Sequence, residues 1–427
     1  MRDATPAGGT SATPADAAAP APSTAGTAVV PRRTAALAIL ALAVGSFGIG
    51  VTEFASMGIL PLIAEGMDVS IPEAGHAVSA YAIGVVVGAP LIAMFTSRMG
   101  RKKLMILLML VFVVGNIASM VAQTMPLLLA ARFLAGLPHG GYLGLGAVVA
   151  ATLVAPNRRG TAMARVMLGL TVANIFGVPL ATALGNAVGW RTVYGLVGVL
   201  GLLAMLALLV CLPKAIPHTP SSVIGEFRTL GRTQVWLPLL AGSVGFGGMF
   251  ALYTYITPTL TGITGIADGT MPWILALYGV GITVGSLVAG PAVDRSIDRS
   301  AFAGVGLMGV ILLVFGLFTH IPFIAILCVA TIGLGSSMFT TALQARLLRE
   351  TRDAPSMSAS MNHAAFNLAN AFGAFLGGVV VSAGLGYRAP ALAGMGLTIL
   401  GLLVLTITQV LYRRSGGAAS TREVVTV

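Results

Sequence analysis

Glu53 is the one acid deep within an apolar run, in the stretch Gly50-Val51-Thr52-Glu53-Phe54. At helical spacing Ser46, Gly50, Glu53 and Met57 fall on one face. An ionisable group inside a membrane-length apolar segment is costly and by default marks function. That face is therefore expected to look into a helix bundle rather than at lipid. Desolvation favours the neutral form of a carboxylate, so Glu53 is expected to load and release a proton near neutral pH. The alternative is a structural hydrogen bond between helices.

Arg132 is the one basic residue well inside an apolar run, and His139 follows it by seven residues. The two share a helical face, ~10 Å apart along the axis. The helix of Glu53 runs opposite to theirs, and at ~1.5 Å per residue Glu53 lies at a depth between the two. The expectation is a proton-dependent Glu53–Arg132 pair with His139 beside it. A packed, neutral imidazole is the other reading of His139. Pro138 frees a backbone carbonyl and predicts a kink there.

A second polar stripe comes near the end of the chain. His363, Asn367 and Asn370 follow i, i+4, i+7, flanked by Asn362, Phe366 and Phe372. Amides in an apolar segment need partners, which a water-filled cavity supplies. Substrate contact is expected from this stripe. Tyr253, Tyr255, Trp273 and Tyr278 offer aromatic walls for an apolar ligand, although interfacial belts also explain Tyr and Trp.

Other chemistries find no footing. HExxH, GxSxG and P-loop patterns are absent, and Gly304-Val305-Gly306-Leu307-Met308-Gly309 fits GxGxxG inside an apolar run rather than at a strand–helix turn. Enzymatic activity is not expected. Cys211 and Cys328 both fall in apolar runs, so neither a disulfide framework nor a thiolate metal site is indicated.

These residues need elements to position them, and the composition says which. Of 427 residues 56% are apolar and 9% charged, too few charges to cover a soluble surface. A bilayer core takes about 20 apolar residues per helix. Such runs occur at about 35–63, 75–97, 104–123, 126–154, 162–187, 191–212, 236–264, 272–293, 301–319, 322–345, 356–384 and 388–412. The reading is an all-α membrane protein of twelve transmembrane helices. A tail (1–33), rich in Ala, Pro, Thr, Ser and Gly, reads as disordered and cytoplasmic. It precedes a six-helix bundle (34–212), a cytoplasmic central loop (213–235), a second six-helix bundle (236–412) and a cytoplasmic tail (413–427). Arg32-Arg33 reads as the flank of a start-anchor rather than a twin-arginine signal, because no cleavage site follows promptly.

Lys and Arg concentrate in alternate connections, among them Arg98, Arg101, Lys102 and Lys103, then Arg158 and Arg159, then Arg295 and Arg299. Both termini are therefore expected in the cytoplasm. The net charge of +11 reports that topology and does not call for a nucleic-acid partner. The halves also repeat. Ala173-Asn174-Ile175-Phe176-Gly177 returns as Ala369-Asn370-Ala371-Phe372-Gly373, and Gly189-Trp190-Arg191 as Gly386-Tyr387-Arg388, at offsets of 196 and 197 residues. Parallel repeats of six helices hold substrate between the halves near the midplane. Without a nucleotide site, uphill transport must draw on an ion gradient.

Six helices plus six, with a basic loop after the second and the eighth, resemble the major facilitator superfamily. Met94-Phe95-Thr96-Ser97-Arg98-Met99-Gly100-Arg101-Lys102-Lys103 looks like its loop signature, with Ala93 and Ser97 replacing the usual glycine and aspartate. Gly290-Pro291-Ala292-Val293-Asp294-Arg295 is a second copy that keeps glycine and acid. Arg132-Phe133-Leu134-Ala135-Gly136 is similar to the fourth-helix motif whose arginine the family implicates in proton coupling. Gly169 to Gly185, with Gly177-Val178-Pro179, resembles the fifth-helix antiporter motif. Thr52-Glu53-Phe54, Gly136-Leu137-Pro138-His139-Gly140 and Asn362-His363-Ala364-Ala365-Phe366-Asn367 look like the bacterial drug/proton antiporter branch, which includes chloramphenicol-resistance and arabinose-efflux-type permeases.

The resemblance covers about residues 34–412. It implies proton-coupled efflux of a small drug-like molecule, chloramphenicol or several drugs, by alternating access in a bacterial inner membrane. Glu53, Arg132 and His139 would couple protons. Asn362, His363, Phe366, Asn367, Asn370 and Tyr253 would bind substrate. Arg98, Gly100, Arg101, Gly177, Pro179, Asp294 and Arg295 would serve gating and bending. The expected partners are a small-molecule substrate, protons and lipid, with no cofactor beyond the proton gradient and a monomeric state. Export of a sugar or other native metabolite, and a non-transporting membrane sensor, stand as alternatives.

Overall fold

In hydrocarbon every backbone N–H and C=O must be paired within its own segment, so apolar runs of this length fold as helices. A computed structural model describes residues 31–96, 99–214, 216, 233–350 and 355–414. Twelve helices in it are long and apolar enough to cross a membrane. The first six spans are Arg32–Gly58, Ile71–Ile92, Arg101–Val121, Met125–Thr152, Pro156–Val188 and Trp190–Cys211. The last six are Val235–Thr254, Asp268–Arg295, Ile297–Phe318, Pro322–Glu350, Ser360–Leu385 and Ala389–Leu411. No strand occurs among the described residues. Most of the expected tails and of the central loop lies outside the described residues, as does Arg98; the first helix already begins at Arg32 and the last runs to Arg414.

Several central helices are broken where the chain carries Gly or Pro. The first span ends at Gly58, and a short helix, Leu60–Met67, restarts with Pro61 in its first turn. The fourth turns at Leu137–Pro138 between helices Met125–Gly136 and His139–Thr152, as Pro138 implies. The fifth carries a π-helical turn at Ala173–Gly177, ending two residues before Pro179. Its repeat copy, Ala369–Gly373, is regular α-helix. Both repeat-related turns place a glycine in the left-handed region, Gly189 at φ 102° and Gly386 at φ 76°, which only glycine adopts without penalty.

Two large apolar cores form among the described residues, one per set of six helices, beside two small clusters. Phe112, Tyr142 and Trp190 anchor the first; Phe250, Phe315 and Phe339 anchor the second. They interlock, for Tyr255 packs into the first core while Met57, Val78 and Val178 pack into the second. The second span lies along the eleventh and the fifth along the eighth. Three hydrogen bonds between described residues cross this seam. Ser79 Oγ donates to Ala371 O (3.1 Å), Thr257 Oγ1 to Gly58 O (3.1 Å) and Asn186 Nδ2 to Asp268 O (3.4 Å). All lie toward the end of the bundle away from the chain termini.

Candidate functional site

Glu53 is the one carboxylate buried among the described residues, at 8% exposure. Its Oε2 lies 4.0 Å from His139 Nε2. The other ring nitrogen, His139 Nδ1, is 3.0 Å from the hydroxyl of Tyr81 on the second span. The His139 ring also lies beside that of His363 of the eleventh span, 5.8 Å between centroids. The two histidines thus meet across the seam, one from each half.

Arg132 is fully buried but does not form the expected pair with Glu53. Its Nη1 donates to Thr52 Oγ1 (2.8 Å) and its Nη2 to the Thr52 carbonyl (3.0 Å). The guanidinium lies over the rings of Tyr81 (4.5 Å) and Tyr194 (5.0 Å), contacts that hold a desolvated cation. Thr52 and Glu53 differ by 1.5 Å along the helix but by about 100° around it, which puts the arginine on the threonine side.

Thr52 passes the network on, donating to Asn116 Oδ1 at 2.7 Å. Asn116 donates in turn to the Phe112 carbonyl. One turn along the first span, Ser56 Oγ is 3.1 Å from Tyr194 Oη. Tyr81, Asn116 and Tyr194 escaped the sequence reading; the one signal for them was a polar side chain inside an apolar run.

The other half presents an aromatic wall. Phe54, next to Glu53, is inserted among Phe250 (6.3 Å), Tyr253 (5.8 Å) and Tyr278 (6.2 Å). Tyr253 and Tyr278 lie 4.3 Å apart, and Phe366 meets Phe246 at 4.9 Å. Of the other proposed wall residues, Tyr255 donates to the Ala374 carbonyl in the seam. Trp273 is 74% exposed on the outer surface.

Asn362, Asn367 and Asn370 are buried. Among the described residues, Asn362 Oδ1, Asn367 Oδ1 and both polar atoms of Asn370 have no hydrogen-bond partner, and the same holds for Tyr253 Oη. Buried polar atoms are paired in the great majority of cases, so this cluster has capacity to receive a ligand's donors and acceptors.

The expected gating residues are scattered. Gly177 packs tightly against Phe47 and Val51 of the first span. Gly100 has ordinary backbone angles, φ −59°, and open space beside it. Asp294 and Arg295 are exposed. The acid that does pair in this region is Asp298, with Arg346 at 3.2 Å. Arg101 opens the third span beside Lys102, whose Nζ donates to the carbonyls of Leu209 and Leu212.

Two six-helix halves joined along a buried polar seam, with broken central helices, define a secondary transporter architecture. Comparison with known proteins gives the family. The family model described as Major Facilitator Superfamily matches residues 42–267 and 239–424. The chain is 42% identical over 369 residues to "Inner membrane transport protein YdhP" of Escherichia coli O157:H7, covering 86% of this chain and 94% of that one. It is 30% identical to a "Chloramphenicol resistance protein" of Streptomyces lividans, covering 86% and 95%. The crystal structure of a D-xylose–proton symporter superposes with a TM-score of 0.69 at 16% identity, covering 86% of this chain and 96% of that one. The chain belongs to the Major Facilitator Superfamily and is a multi-pass membrane transporter.

Proposed function

We propose that the protein is a proton-coupled antiporter that exports a small drug-like molecule from a bacterial cell by alternating access. The observation that carries this reading is Glu53, a carboxylate buried at the seam between His139 and the aromatic wall. Protonation removes its charge, and with it the attraction to Arg132. That shifts the balance between two packings of the halves by as much as the charge interacts differently with each. Phe54 sits one residue away in the aromatic wall, so an apolar ligand entering between Phe250 and Tyr278 would displace it and move the same helix. With the termini in the cytoplasm, as the Lys/Arg bias implies, the hydrogen-bonded end of the seam faces outward and this packing is closed on the outside. The similarity to a chloramphenicol resistance protein supports a drug-like substrate.

The experiment is Glu53→Gln in everted vesicles. The expected result is loss of gradient-driven uptake and of substrate-dependent proton movement, with downhill exchange and folding intact. Full uphill transport in that variant overturns the coupling role. Export of a sugar or native metabolite is the second reading, favoured by the unpaired amides of Asn367 and Asn370. A panel of antibiotics and sugars in the same assay separates the two, while a membrane sensor would move no protons with any of them.

A further inference from the structure

The lateral surface of the first half carries a groove outside the buried polar network. A depression of about 500 Å³ lies between the first and fifth spans. Leu40, Val44 and Phe47 form one wall, Leu168 and Val172 the other, and Arg165 stands at one end. The groove faces away from the seam. On the fifth span Asn174 packs against Gly279 of the other half. Leu168, Val172, Phe176 and Leu180 form a separate face, 54, 37, 59 and 66% exposed. An apolar face exposed on a membrane-spanning helix meets hydrocarbon.

Arg165 is exposed on that same face, three residues before Leu168 and seven before Val172. Arg158, seven residues earlier again, is also exposed. No carboxylate among the described residues forms an ion pair with either. A cation on a hydrocarbon-facing surface is costly unless its stem snorkels toward an interface or its head meets an anion. Here the apolar trough begins where the basic pair ends, so one molecule with an anionic head and a long apolar chain satisfies both. A guanidinium fork suits a phosphate oxygen pair.

We infer that this groove binds one anionic phospholipid, its acyl chain along Leu40, Phe47 and Val172 and its phosphate on Arg165 and Arg158. The site is independent of the proton and substrate residues.

The test is native mass spectrometry of the detergent-solubilised full chain titrated with dioleoylphosphatidylglycerol or dioleoylphosphatidylcholine. The wild type should retain one phosphatidylglycerol in preference to phosphatidylcholine. Each arginine near the headgroup contributes about fivefold in affinity, so Arg165→Gln should weaken retention by about that factor. Adding Arg158→Gln should bring the loss to roughly 25-fold if the sites act additively. Leu40→Trp fills the trough and should lower retention with both arginines present; Ala36→Phe does the same if the first variant fails to fold. Arg299→Gln, which removes a charge elsewhere, should change nothing. Equal retention of the two lipids overturns the inference. So does displacement by inorganic phosphate, or an Arg299→Gln loss as large as that of Arg165→Gln.

Discussion

The two halves of the seam solve the problem of buried polarity in opposite ways. In the first half a buried guanidinium and an ionisable carboxyl group sit in a largely paired network: Arg132 binds Thr52, Thr52 binds Asn116, and His139 lies between Tyr81 and Glu53. In the second half the polar groups are uncharged and carry spare capacity, with Asn362, Asn367, Asn370 and Tyr253 holding unpaired buried atoms. A buried charge without partners is too costly to keep, so the charged side must be internally satisfied. A neutral amide left unpaired costs less, so it can be held ready for a ligand. On the function proposed above, the difference would put proton handling in one half and ligand recognition in the other.

That assignment is most exposed to failure at Arg132. Arg132→Ala removes two charge-assisted hydrogen bonds and two ring contacts from a fully buried site. It should cost about 3 kcal/mol, read as a lower thermal unfolding midpoint in detergent. Thr52→Val should reproduce about 1 kcal/mol of that loss, because it deletes the hydroxyl that Arg132 and Asn116 share. If Thr52→Val is silent while Glu53→Gln costs as much as Arg132→Ala, the arginine belongs to the carboxylate and the first half is wired differently.

The seam itself gives the next largest effect. A Cβ on Gly279 would meet the Asn174 carbonyl carbon and oxygen at 2.5 Å, a clash with backbone rather than with a movable side chain. At the repeat-equivalent position the second span carries Ala82, fully buried, so the two crossings are not equally tight. Gly279→Ala should cost about 1–3 kcal/mol in this packing alone. That shifts a two-state balance by about 5- to 150-fold toward the packing in which the fifth and eighth spans part. Cross-linking between cysteines at positions 186 and 268 should fall accordingly. Unchanged cross-linking would mean that the halves move without parting there.

How much of this was legible in the sequence differs by type of residue. Twelve spans were readable because the bilayer sets a length that composition must meet. Glu53 and Arg132 were readable because charge inside such spans is rare. What joins them was not, since spacing gives height along a helix and leaves its rotation against a neighbour open. Tyr81 and Asn116 were missed because neutral polar residues in apolar runs are too common to single out. The π-helical turn at Ala173–Gly177 could not be inferred from its motif, since the near-identical Ala369–Gly373 is a regular helix. Their surroundings differ: Asn174 abuts Gly279, whereas Ala371 accepts a hydrogen bond from Ser79.

The finest test sets one buried asparagine against another. Asn116 accepts from Thr52 and donates to Phe112 O. Asn116→Ala leaves a buried hydroxyl short of its acceptor and should cost about 1–2 kcal/mol. Asn370 is as deeply buried, at 0% exposure, yet among the described residues neither its oxygen nor its nitrogen has a partner. Removing an unpaired polar group from an apolar setting is close to neutral or stabilising, so Asn370→Ala should leave the thermal midpoint unchanged or raise it. If ligand recognition lies in this half, the same variant should raise KM for transport by up to about tenfold, the worth of one hydrogen bond. Asn116→Ala should leave KM alone. Equal destabilisation by the two substitutions, with no change in KM for Asn370→Ala, would make the amide stripe structural and return substrate recognition to the aromatic wall around Phe54.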